Sequence, residues 1–152
     1  MLILKDEMKA LIGYIRNTIC KEEVEIPELT EEEQNNLYKM SVAQDIAHLV
    51  SIGIRKNPSP EWNARYKTKF LQQEHMAVYR YINQSQALEE IRELFQANQI
   101  FYLPLKGSVL RKYYPEEWMR TSGDIDILIK EQDFACAKDL LIEKCRFSNV
   151  KI

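Results

Sequence analysis

At 152 residues the chain is long enough for one ordinary domain or two small ones, and its 45% apolar and 29% charged content is that of a folded globular chain. Net charge is −2 and evenly spread, with 11 Lys/Arg against 12 Asp/Glu in residues 1–84 and 10 against 11 in residues 85–152. Neither half carries the basic excess of a duplex-binding module, which disfavours nucleic acid as a partner.

Met1-Leu2-Ile3-Leu4 runs straight into Lys5, Asp6 and Glu7, too short an apolar stretch for a signal peptide. No later run approaches the roughly 20 residues of a membrane span, so no membrane association is expected. Cys20, Cys136 and Cys145 are odd in number and lack metal-ligand spacing, which reads as reduced thiols in a cytoplasmic protein. Over residues 5–20, Met8, Leu11, Ile12, Ile15 and Ile19 recur at the spacing of an amphipathic helix. A connector follows from Lys21 to Leu29, with Pro27 inside it. Seven acids and no base lie between Glu22 and Glu33. That run reads as a solvated acidic loop, with a protein-binding patch as the alternative.

Thr30-Glu31-Glu32-Glu33 has the form of a capping box, and the helix it starts is predicted to reach about Ile54. Leu37, Met40, Ala43, Ile46, Ala47 and Val50 make its buried face. Asn57-Pro58-Ser59-Pro60 ends it, with Ser59 as the next N-cap and Pro60 at N1. The following stripe, Trp62, Tyr66 and Phe70, then Leu71, His75, Val78 and Ile82, reads as core packing. His48 and His75 stand alone at structural positions. Ser85 is read as the cap of a further helix, with Leu88, Ile91, Leu94 and Phe95 on one face and an end near Asn98. Residues 1–84 are thus expected to form a helical domain.

Strands are expected only after Gln99. Phe101-Tyr102-Leu103-Pro104-Leu105 is a short apolar run that breaks at Lys106-Gly107-Ser108. Asp124-Ile125-Asp126-Ile127-Leu128-Ile129 alternates like a strand, so Asp124 and Asp126 share one face while Ile125, Ile127 and Ile129 face a core. A helix is predicted over residues 131–143 and another strand over Phe147–Ile152. The fold class is α+β: a helical domain (1–84), then a core of helices flanking a mixed sheet (85–152).

Two carboxylates on one strand face repel each other unless a cation lies between them, and Mg²⁺ or Mn²⁺ meets that demand through oxygen ligands. Gly107 lets the backbone approach a phosphate closely, and a helix starting there offers unpaired N–H groups to an anion, with the Ser108 hydroxyl beside them. Gly107 and Gly123 are two of only four glycines, which favours a backbone role for both. Lys106, Arg111, Lys112 and Arg120 bring cations nearby, of which Arg111 and Lys112 are read as solvated. Tyr113, Tyr114 and Trp118 are read as packing over the sheet edge, with base stacking as the alternative.

Leu105-Lys106-Gly107, Tyr114-Pro115, Arg120 and Asp124-Ile125-Asp126, in that order, resemble the polymerase-β-type nucleotidyltransferase superfamily, and within it a branch of uncharacterised bacterial nucleotidyltransferases. The resemblance spans about Leu88 to Ile152. It implies a metal-dependent transfer of a nucleoside monophosphate from an NTP substrate to an acceptor hydroxyl, with Arg120 at the family's arginine. It implies Asp124 and Asp126 as metal ligands and catalytic acids. Lys106, Gly107, Ser108 and Arg120 would bind the substrate. The superfamily's third carboxylate, carried on a later strand, has no counterpart after Asp126, so the core is expected to be incomplete at its C-terminal end. Two alternatives stand beside this reading. One is a non-catalytic nucleotide-binding or toxin–antitoxin-type module with a protein partner. The other is a glycosyltransferase using Asp-x-Asp. Nothing in the sequence identifies the acceptor.

Overall fold

The structure, a computed structural model of the chain, describes residues 5–57 and 60–145. It divides into two compact units, one ending at Val78 and one beginning at Tyr79. Helix α4 (Ala64–Ala97) contributes residues to both. No helix among the described residues is long and apolar enough to cross a membrane.

The first unit is all helical. Helix α1 (Asp6–Ile15) continues into a π-helical turn at Arg16–Cys20, so the predicted helix over 5–20 is present. Its buried side is only partly the predicted one: Leu11 and Ile15 pack against the core as expected. Ala10, Gly13, Tyr14 and Thr18 are buried, whereas Met8 and Ile12 are 40% and 46% exposed. The small residues decide this, because they let neighbouring chain approach closely: a Cβ on Gly13 would sit 2.5 Å from Ile26 Cδ1. Hydrophobic periodicity gives no weight to such residues.

Helix α2 (Glu31–Ala43) begins with the expected capping box. Thr30 Oγ1 accepts from the Glu33 N–H, and Glu33 Oε2 accepts from the Thr30 N–H at 2.8 Å. The helix does not reach Ile54. Asp45 adopts a left-handed backbone (φ 53°), Ile46 N–H bonds to the Ser41 carbonyl and Asp45 N–H to the Val42 carbonyl. This is a Schellman termination with aspartate where glycine is usual, which is why the sequence hides it. Helix α3 (Ala47–Lys56) then starts afresh and is buried along its whole length from Ala47 to Ile54. The three helices and the start of α4 enclose Tyr14, Leu37, Val50, Trp62, Tyr66 and Phe70. The rings meet edge to face, Trp62–Phe70 at 5.4 Å and Tyr38–Phe70 at 5.2 Å, and Trp62 Nε1 donates to the Tyr14 hydroxyl at 2.9 Å. Burial pushes the Tyr14 phenol up to about 12. Glu74, also buried, accepts from Ser51 Oγ at 2.8 Å and from Arg55 at 2.6 Å.

Helix α4 corrects two further expectations. It starts at Ala64, with Asn63 Oδ1 accepting from the Arg65 N–H, and not at Pro60; Ser59 lies outside the described residues. It also runs through Ser85 without a break, because no proline or glycine interrupts residues 64–97. Leu71 and Ile82 lie exposed, and Ala77 takes the buried position.

The second unit closes α4 with another Schellman turn. Gln99 is left-handed (φ 58°) and Ile100 N–H bonds to the Phe95 carbonyl. Ile100 and Phe95 both enter the core of this unit, with Ile91, Ala137 and Leu141. The hydrophobic pair that usually accompanies this turn is therefore present. Strands β1 (Tyr102–Pro104) and β2 (Ile127–Ile129) pair antiparallel, Leu103 opposite Leu128. Helix α6 (Phe134–Cys145) covers one face after a single turn of 3₁₀-helix at Glu131–Asp133. The α+β class stands, but among the described residues the sheet is two-stranded and antiparallel, not mixed. The strand expected at Phe147–Ile152 falls outside the described residues.

Candidate functional site

The predicted strand over Asp124–Ile129 is shorter than expected. Residues 123–124 form a bend and regular pairing begins at Ile127, although Leu105 N–H still donates to the Asp126 carbonyl at 2.9 Å. Ile125, Ile127 and Ile129 all pack on the core. Alternation along an extended chain then leaves Asp126 on the outer side together with Leu128. The ladder also sets β1 and its following turn against the acid segment, because Leu105 is the residue before Lys106.

That turn is tight. Lys106 has φ 44° and ψ −112°, a region that side chains other than glycine's disfavour, at a cost of about 1–3 kcal/mol. It caps a four-residue helix, α5 (Gly107–Leu110), whose first N–H groups, on Gly107 and Ser108, have no acceptor within the helix. Gly107 is buried against the other loop: a Cβ there would lie 2.8 Å from Ser122 Oγ and 3.0 Å from Ser122 Cβ. Any larger residue would have to push Ser122 aside. Gly123 differs from expectation in this respect, since a Cβ there would meet nothing within 4 Å.

Both acids are tied to the same turn. Lys106 Nζ lies 3.3 Å from Asp126 Oδ2, with the lysine 73% exposed and the aspartate 30% exposed. Such a pair is weak in water and readily exchanged for another cation. Ser122, the residue packed on Gly107, donates from Oγ to the Asp124 carbonyl at 2.9 Å and lies 3.3 Å from Asp124 Oδ1. Asp124 itself is exposed. Two accessible carboxylates beside a turn whose first N–H groups have no acceptor in the helix could hold Mg²⁺, which takes one or two protein carboxylates and fills its octahedron with water and phosphate oxygens. Among the described residues no three His, Cys, Asp or Glu side chains converge on a point.

The sequence reading missed what holds these loops. Tyr81, Gln84 and Ser85 occupy one face of α4 at i, i+3 and i+4. Gln84 Nε2 donates to the Ser122 carbonyl at 2.7 Å, clamping the acid loop. Ser85 Oγ accepts from Arg111 Nη1 at 3.0 Å, and Arg111 Nε donates to the Ser108 carbonyl at 3.2 Å. Tyr81 lies under the Arg111 guanidinium, 5.3 Å from ring centre to Cζ, and its hydroxyl donates to Glu117 at 3.1 Å. Arg111 is therefore 8% exposed, not solvated, while Lys112 lies exposed as expected. The available signal was the polar run Asn83-Gln84-Ser85-Gln86 inside an unbroken helix. Arg120, after a 3₁₀ turn at Glu117–Met119, donates to the Thr121 carbonyl. Tyr113 is 74% exposed and does not pack over the sheet edge; Lys112 Nζ lies 5.2 Å from its ring centre.

No curated protein and no solved structure matches the chain. A family described as uncharacterised nucleotidyltransferases matches residues 30–144, which include the turn, both acids and the α4 face that holds them. By that match the chain belongs to the uncharacterised nucleotidyltransferase family.

Proposed function

We propose that the protein is an enzyme that transfers a nucleoside monophosphate from an NTP to an acceptor hydroxyl and releases pyrophosphate. Family membership supports nucleotidyl transfer in general. The observation that carries the specific reading is two accessible carboxylates set beside a glycine turn in which any Cβ would have to displace Ser122. In this reading Asp124 and Asp126 hold Mg²⁺ or Mn²⁺, which when bound neutralises phosphate oxygens and orients the α-phosphate for attack. The Gly107 and Ser108 N–H groups and the Ser108 hydroxyl bind the triphosphate. Lys106 would offset phosphate charge, and Arg120 would add a second cation. Catalysis here is positioning plus charge neutralisation, as in phosphoryl transfer generally.

The test is label transfer from NTPs carrying a labelled α-phosphate, with Mg²⁺ and separate pools of small metabolites, proteins and RNA. The expected result is metal-dependent labelling of one pool by α-label but not by γ-label, abolished in Asp126→Asn. Failure of the folded chain to label any pool, or equal labelling by Asp126→Asn, would defeat the reading. Metal-dependent NTP binding without transfer would favour a nucleotide-binding module with no turnover.

A further inference from the structure

Arg111 stands out among the charged groups of the second unit because it is 8% exposed and no carboxylate pairs with it among the described residues. A buried guanidinium without a counter-anion carries an uncompensated desolvation cost. Its fork is spent on two neutral acceptors on different elements: the Ser108 carbonyl in the glycine turn and the Ser85 hydroxyl on α4. The Tyr81 ring beneath it fixes the plane of the group. Lysine has no such fork, so it cannot reach both acceptors from one rigid plane.

We infer that Arg111 is a positioning residue for a polyphosphate ligand. It locks the Gly107–Ser108 turn against α4 through Ser108, and its unneutralised charge biases that turn towards anions. The missing counter-anion is supplied by the ligand: a charge a few ångströms from the turn, shielded from water, acts over that distance far more strongly than one in solvent. This inference rests on the proposed polyphosphate site and adds to it a residue outside the family-like motif. It also explains why a serine and a tyrosine sit mid-helix on the face of α4 that meets the turn, where neither is needed for the helix itself.

The probe is inorganic tripolyphosphate with Mg²⁺, titrated calorimetrically into wild type, Arg111→Gln, Arg111→Lys and Ser85→Ala, each checked for fold by circular dichroism and thermal melting. Arg111→Gln is expected to weaken binding at least tenfold and to flatten its dependence on salt, because one charge has gone. Arg111→Lys, which restores the charge, should recover affinity to within about threefold of wild type. A purely structural role would not be rescued by lysine and would leave the salt dependence unchanged. Folded Arg111→Gln binding within twofold of wild type would overturn the inference, as would equal losses in the glutamine and lysine variants. Should Arg111→Gln fail to fold, Ser85→Ala decides. It keeps the charge, removes one brace at a helical position that accepts alanine, and should weaken binding about threefold; unchanged affinity would overturn positioning through α4. No binding by the folded wild type would instead sink the polyphosphate site itself.

Discussion

The two units solve different problems with the same residue types. In the first, aromatic side chains turn inward: Tyr14, Trp62 and Phe70 are at most 4% exposed and linked by ring contacts and one hydrogen bond. Its glycine at position 53 faces Tyr14, where a Cβ would sit 2.7–3.1 Å from three side-chain atoms. Among the described residues, the core of the second unit is smaller. Tyr81 braces an arginine, Tyr113 lies open to solvent, and glycine 107 faces a loop serine instead of a ring. Backbone strain at Lys106, together with exposed Asp124 and half-buried Asp126, also falls in the second unit. The first unit packs aromatic side chains, whereas the second unit spends its polar groups holding the Gly107 turn and the loop that carries Asp124.

The largest effect is expected in the first core. Phe70→Ala, which removes a ring 1% exposed that touches two other rings, is expected to cost about 3–5 kcal/mol in a denaturant titration. A loss below about 1 kcal/mol would mean that the aromatic cluster is not the main source of stability there.

A matched pair sharpens the comparison. Gly53→Ala and Gly107→Ala each force a methyl into contact under 3 Å, and each should cost about 1–3 kcal/mol. Only Gly107→Ala should also weaken tripolyphosphate binding, because it displaces Ser122 and with it Asp124. Equal binding by the two variants would erase the distinction between the units.

Alkaline unfolding probes the first unit most strongly, while burial also pushes the Tyr102 phenol of the second unit up. Tyr14 ionises near 10 when unfolded and at about 12 when folded, so the unfolded state loses its proton first. Stability from this group is complete below pH 10 and falls by roughly 2 kcal/mol as pH rises to about 12. Tyr14→Phe should flatten that part of the pH profile.

Lys106→Gly reverses the usual sign of a site mutation. Relief of the strained φ outweighs the added chain entropy, for a net gain of about 1 kcal/mol in stability, while nucleotide affinity falls through loss of the ammonium group. The smallest effect is expected at Gly123→Ala, within about 0.5 kcal/mol of wild type by thermal melting, since its Cβ meets nothing.

Much of this organisation is written in the sequence. The capping box at Thr30–Glu33, the core stripe Trp62–Tyr66–Phe70 and the inward Ile125–Ile127–Ile129 row follow from local pattern, and all three are present. The break at Asp45 was harder to read, because a left-handed residue is signalled by glycine and here is not one, whereas the end of α4 at Gln99 falls where it was expected, near Asn98. The break at Asp45 divided a helix predicted to be continuous. The continuity of α4 through Ser85 was equally hidden: a serine that could cap a helix was instead committed to Arg111, a partner 26 residues away that no local rule reaches. At the site, the motif residues were legible as types at a spacing. What brings them together, Gln84 on the Ser122 carbonyl and Gly107 against Ser122, depends on tertiary contact and was not.

In the proposed function, Asp124 and Asp126 hold a divalent metal beside a triphosphate-binding turn. Calorimetric titration of ATP, GTP, CTP and UTP, with and without Mg²⁺, into wild type and an Asp124→Ala/Asp126→Ala double variant tests it directly. The account requires binding of at least one nucleotide that depends on Mg²⁺ and disappears in the folded double variant. Metal-independent binding, or equal binding by both proteins, would contradict it.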